Sequence, residues 1–161
     1  MEEVYKIETI SDKKNLGCVA LKSLTIGSVI SLEKPLIPTM ALSSESGQPQ
    51  LDINRLINSY ESLNSTDQEA YLSLDDGLDG SANQNERICG VYHTNAFDMG
   101  LGLQSSRFNH SCSANANMCW NEDEGKLEIV AVTDINQGFR VDPIFPNRFI
   151  LCCEKLRIVK I

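Results

Sequence analysis

Apolar and polar positions alternate from the start of the chain, with Val4, Tyr5, Ile7 and Ile10 marking a first strand. Ser11-Asp12-Lys13-Lys14-Asn15 is a turn, and Gly17-Cys18-Val19-Ala20-Leu21 resumes the apolar pattern. After a polar break at Lys22-Ser23, Ile26 to Leu32 forms a further run, with Gly27-Ser28 suited to a short β-to-β connection ahead of Val29. Lys34-Pro35 closes the series, since proline has no N–H to give to a ladder. The opening therefore predicts small strands joined by tight turns.

The period then changes. Ser43 to Gln50 is a Ser/Gly/Pro-rich loop, and beyond it Ile53, Leu56, Ile57 and Tyr60 recur at helical spacing, with Asp52 placed to cap. Ser65-Thr66-Asp67-Gln68-Glu69 offers capping chemistry for a second helix that carries Ala70, Tyr71 and Leu74. Asp75 to Gln84 is acidic and Gly-rich, which predicts a mobile, solvated loop. Gln84 to Phe97 fits a third helix presenting Ile88, Val91, Tyr92 and Asn95, with Asn95 also placed as a helix C-cap. Strand spacing returns in Leu127-Glu128-Ile129-Val130-Ala131-Val132.

Between these apolar segments lies Arg107-Phe108-Asn109-His110-Ser111-Cys112-Ser113-Ala114-Asn115. A stretch so dense in donors and acceptors is either a solvated loop or is threaded through the interior and satisfied by backbone and a ligand.

At 161 residues the chain is long enough for one domain with a real core, and its 42% apolar content argues against wholesale disorder. A net charge of −8 argues against a protein that grips phosphate backbones and permits a basic protein partner. The six cysteines, at positions 18, 89, 112, 119, 152 and 153, include no CxxC pair, so neither a zinc cage nor a disulfide framework is indicated. No signal peptide and no apolar run of membrane-spanning length stand out, which leads to an expected intracellular, reducing compartment.

RFNHSCSAN, together with Glu33-Lys34-Pro35-Leu36 and Thr94-Asn95-Ala96-Phe97 in that order, resembles the SET-domain protein-lysine methyltransferases, most nearly the SET-and-MYND branch. The resemblance covers about Lys6 to Gly138. It implies an α+β, mostly β fold of short strands in small curled sheets, with a helical insert at about 52–97 and a knot-like C-terminal crossing. The SET domain would then occupy 1–138, and 139–161 would be an atypical, loosely packed tail. No cysteine lies between Thr39 and Leu51, so the MYND zinc finger is absent there.

The resemblance also implies S-adenosyl-L-methionine as cofactor. Asn109 would meet its amino-acid end, His110 its adenine, and Asn95 a further contact. The turn Asn15-Leu16-Gly17 would lie against its other side, Asn15 replacing a glycine and being the non-Gly residue most tolerant of positive φ. Arg107 is read as a tether for the crossing rather than a reacting group. The implied substrate is a protein lysine in a histone tail or another basic segment, with no direct nucleic-acid or membrane partner, in a monomer of the nucleus or cytoplasm.

One departure separates this chain from that pattern. After Gly138 the family continues with two glutamates and, a few positions on, a channel tyrosine; here Phe139-Arg140-Val141-Asp142-Pro143-Ile144-Phe145 follows, with no tyrosine to the end. Phe145 stands where the catalytic tyrosine is expected, and Tyr92 is the first other hydroxyl to consider. The chain is thus read as a weakly active or inactive methyltransferase, or as a catalytically silent SET module acting through binding. Cys112 and His110 as a thiol–imidazole nucleophile form a rival, requiring an unusual turn to bring residues two apart into line.

Overall fold

The computed structural model describes residues 3–10, 15–39, 41–42 and 50–145. In chain order these form β1 (Tyr5–Ile10), β2 (Asn15–Ala20), β3 (Val29–Glu33), β4 (Ile37–Pro38), β5 (Ala41–Leu42) and β6 (Gln50–Leu51). Helices α1 (Ile53–Glu61), α2 (Ser65–Leu72) and α3 (Gln84–Asn95) come next, then β7 (Gly100–Leu101) and a 3-10 turn at Ser105–Arg107. The chain closes with β8 (Ala116–Asn121), β9 (Lys126–Ala131) and β10 (Pro143–Ile144). The α+β, mostly β class expected from the sequence is what these elements make. Two compact units result: Met1–Lys34 with Arg107–Ile161, and Pro35–Ser106. Among the described residues no helix is long and apolar enough to cross a membrane.

In the first unit β1 and β2 form an antiparallel pair, while β10, β8, β9 and β3 lie in that order in a four-stranded sheet. Leu127, Ile129 and Ala131 of β9 point inward and their neighbours outward, the period-2 pattern legible in the sequence. The pairing of Ile10 with Asn15 leaves 11–14 to connect β1 to β2, so Asn15-Leu16-Gly17 is strand and not the turn expected there. Gly17 pairs with Glu8 and is buried. Strand β8 was not foreseen, because Asn117 and Asn121 dilute its apolar signal.

The second unit packs Ile37, Leu56, Tyr71, Ile88, Val91 and Leu101 into one core. Asp52 caps α1, accepting from Arg55 N at 3.0 Å. Asn64, one residue ahead of the expected position, caps α2 by accepting from Asp67 N at 2.9 Å. Asn83 and Glu86 close a capping box on α3. Tyr71 is fully buried, yet its hydroxyl donates to Ile88 O at 2.7 Å. Burial pushes that phenol's pKa up, so it stays a donor throughout the physiological range. Gly100 (φ +124) sits where strands β4 and β7 meet, and a Cβ there would strike the Ile37 carbonyl oxygen and Pro38 backbone.

The acidic run after Leu74 is less free than expected. Asp75, Asp76 and Asp79 each accept a backbone N–H two residues on, and Asp76 also pairs with Arg87 of α3 at 3.1 Å. The Leu78 N–H and the Arg87 side chain hold the Asp76 carboxyl below the usual carboxylate range. The Ser/Gly/Pro-rich run at 43–49 and residues from 146 onward lie outside the described residues.

Candidate functional site

The polar stretch 107–115 and the strand β2 are joined in the first unit by residues 138–145, which run between them. Toward β2, Ala20 N donates to Phe139 O and Gly138 N to Ala20 O, both at 2.9 Å, and Val141 N donates to Cys18 O at 2.9 Å. Toward the polar stretch, Ser111 N donates to Pro143 O at 3.2 Å, and β10 then pairs in parallel with β8, Pro143 opposite Ala116 and Ile144 opposite Asn117.

The poor packing expected after Gly138 therefore does not hold for 139–145. Val141 is 0% exposed, Phe145 3%, and Pro143 is fully buried. Proline is tolerated because β10 is the edge of its sheet, where a missing N–H leaves no ladder gap. Phe139, at 63% exposure, is the exception.

Asn109 lies beside Leu16. Its Nδ2 donates to Leu16 O at 2.9 Å. The carbonyls of Leu16, Cys18 and Ala20 alternate along one edge of β2, and the last two take N–H groups from Val141 and Gly138. The Asn109 amide thus continues that edge where the backbone partner has left. Its Oδ1, an acceptor, is not used in that bond.

His110 is held by the same crossing. Phe145 N donates to its Nδ1 at 3.3 Å, and the two rings lie 5.4 Å apart at 40°. With Nδ1 accepting, a neutral imidazole carries its proton on Nε2, which then donates. Cys112 Sγ lies 3.6 Å from that Nε2, so the turn needed to bring the two together does form. In this tautomer the imidazole gives a proton in the contact and cannot accept the thiol's, which argues against the nucleophile reading. Arg107 contributes its carbonyl to the crossing, accepting from Cys18 Sγ at 3.6 Å.

The residues expected at one site fall into two groups. Leu16, Gly17, Asn109, His110 and Phe145 belong to the first unit, and so does Asn15, whose backbone is in β2. Asn95 belongs to the second. It is the last residue of α3, 8% exposed, and its Nδ2 donates to Asp75 O at 2.6 Å and Val91 O at 2.8 Å. Its amide nitrogen thus anchors the acidic loop to the helix. Tyr92 OH donates to Pro38 O at 3.1 Å.

Two residues that carry the crossing had no role assigned from sequence, Cys18 and Asn115. Asn115 Nδ2 donates to Arg140 O at 2.7 Å, its Oδ1 accepts from Asp142 N at 2.9 Å, and its backbone N donates to Asp142 O at 3.3 Å. An amide closing the polar stretch just before a strand is the only local signal, and its partners are 25 to 27 residues away. Cys18 is buried, and desolvation, with the Asp142 carboxylate adding to it, pushes its thiol up to about 12. Alkylation of the folded chain at pH 8 is therefore expected to spare Cys18 and to modify the exposed Cys112 and Cys119. Peptide mapping after iodoacetamide reads this; early loss of the Cys18 thiol would show that the crossing opens readily.

A family profile described as SET domain matches residues 15–139. Among curated proteins, the histone-lysine N-methyltransferase set5 of Schizosaccharomyces pombe is 27% identical over 141 residues, which is 84% of this chain. The chain spans 40% of the length of that relative. Among solved structures, the SET domain of LSMT bound to lysine and AdoHcy superposes with a TM-score of 0.53 at 12% identity, over 91% of this chain and 50% of that one. That superposition establishes a shared fold.

Proposed function

This chain belongs to the SET-domain family, and from that premise we propose that it binds S-adenosyl-L-methionine as a lysine N-methyltransferase module whose chemical step is impaired. The observation that carries the reading is the crossing itself, which sets Asn109 on the edge of β2 and His110 against Phe145. The donor set fits such a ligand. Asn109 Oδ1, which takes no part in the bond to Leu16, is an acceptor suited to an ammonium group, and the His110 Nε2 proton, which lies toward Cys112 Sγ at 3.6 Å, would turn from that weak sulfur acceptor to an adenine nitrogen. Leu16, half-exposed beside the Asn109 amide, adds an apolar surface. When bound, the cofactor supplies a methyl group on sulfonium for in-line displacement by a neutral amine.

What the chain's own residues do is hold and orient. Asn109 and His110 are fixed by backbone partners, so little side-chain freedom is lost on binding. Asn15 and Gly17 are proposed to lie along the ligand beside Leu16. The proposed substrate is a lysine of a histone tail or another basic segment, consistent with the net charge of −8, in the nucleus or cytoplasm. A silent module that binds such a segment without modifying it is the second reading, favoured by the phenylalanine at 145.

Isothermal calorimetry with S-adenosyl-L-methionine is expected to show weak binding, and His110→Ala to weaken it by about 1–3 kcal/mol, the cost of a buried polar partner removed. Absence of heat and of any thermal shift at millimolar cofactor would remove the proposal.

A further inference from the structure

Residues 140–142 are extended, and their polar groups point alternately to two sides. Val141 N–H goes to Cys18 O of β2, while Arg140 C=O and Asp142 N–H face the other way and meet the Asn115 side chain. Those two groups are the ones a residue of a neighbouring parallel strand would engage opposite Val141. The parallel pairing of β10 with β8 begins immediately after, at Pro143 and Ala116. A primary amide holds a donor and an acceptor about as far apart as a backbone unit presents them, on two separate atoms and without charge, which a single hydroxyl does not. Together with the Asn115 backbone N–H, which donates to Asp142 O at 3.3 Å, the Asn115 amide therefore carries the parallel ladder one step beyond the paired residues of β10 and β8.

The consequence is positional. A slip of one residue at this point would turn Val141 outward and carry Phe145 away from His110. We propose that Asn115 is a positioning residue that sets the register of 139–145 and thereby fixes the orientation of His110 at the site, an inference that rests on the cofactor-binding reading above. It touches neither the proposed ligand nor a reacting atom; it acts through Phe145 N and the His110 ring.

Asn115→Asp keeps the shape and the acceptor but replaces the donor by a carboxylate oxygen facing Arg140 O. The flanking charges are the Arg140 guanidinium and the Asp142 carboxylate, which pair with each other at 2.8 Å, and His110 is the other titratable group held by this segment. Protonation of the introduced carboxyl restores an O–H donor, so the defect should heal as pH falls below about 4–5. Wild type measured at each pH removes the contributions of Asp142 and His110.

Amide exchange resolved by residue, with calorimetry using S-adenosyl-L-homocysteine, reads the effect. At pH 7 Asn115→Asp and Asn115→Ala are expected to speed exchange at Asp142 and Phe145 by about tenfold and to weaken cofactor-product binding by a similar factor. Only the Asp variant recovers at low pH. Unchanged exchange at 139–145 in both variants overturns the proposal, and so does a rise spread evenly over both units at every pH, which would make Asn115 a general stabiliser. If wild type binds no cofactor product, the functional reading fails, and the exchange contrast between the two variants still decides the register claim.

Discussion

Incubated with methyl-labelled S-adenosyl-L-methionine and histone or peptide substrates, the chain is expected to transfer no label above background. Phe145, proposed to stand where the family's tyrosine is expected, keeps an aromatic ring but has no hydroxyl to position an amine and tune its proton loss. Removing one positioned polar group from a reaction centre typically costs about 10²–10³ in rate, or roughly 3–4 kcal/mol of barrier. Phe145 is also 3% exposed and packed against His110, so a hydroxyl added there must find a partner or cost about 1–3 kcal/mol. Phe145→Tyr alone is therefore expected to recover little, and more when combined with Phe139→Glu and Arg140→Glu. Robust transfer by the unaltered chain would sink this expectation, and Tyr92 would be the next hydroxyl to replace by phenylalanine.

The second large effect is structural. Gly100→Ala forces a side chain onto a backbone at φ +124, where only glycine rests without strain, and aims its Cβ at the Ile37 carbonyl. The nearest obstacles are backbone atoms of residues paired with it in β4, so neither can rotate aside. Strain of about 1–3 kcal/mol and overpacking of about 1–3 kcal/mol should combine to roughly 3–5 kcal/mol. Urea denaturation followed by circular dichroism should show the midpoint falling sharply; a shift within error would mean that the β4–β7 pairing is dispensable. Gly27→Ala makes a useful comparison, since its φ is also positive (+86) but nothing lies within 4 Å of the added atom.

Where the sequence is locally periodic, its elements were legible. The alternation of Leu127, Ile129 and Ala131 located β9, and Leu56 with Tyr60 located the buried face of α1, because both signals depend on neighbours two to four residues away. What escaped depends on distant partners. Proline at 143 reads as a breaker until its edge position beside β8 is known. Asn115 reads as one more turn-former, because its partners at 140 and 142 cannot be inferred from the residues around it. Asn15-Leu16-Gly17 reads as a turn through the family resemblance, whereas pairing with β1 makes it strand. The candidate site follows the same division: Asn109 and His110 were identifiable as residues, and what holds them was not.

The route of the chain through the crossing bears on how the protein reaches its native state. Contacts within the 35–106 unit are made largely by helices and short pairs along a continuous stretch of 72 residues, counted from 35 to 106 inclusive. The pairing of Val19 with Arg140 instead closes a loop spanning 121 positions, the difference between those two numbers. Long-range closure of this kind is slow, because the entropy of the intervening chain is lost before the contacts it permits are gained. Refolding should therefore proceed in two stages, with helical signal recovering first and protection of the Val141 amide last. The groups that Asn109 and His110 present would be in place only after that final step, so binding competence should lag behind secondary structure in any refolding experiment.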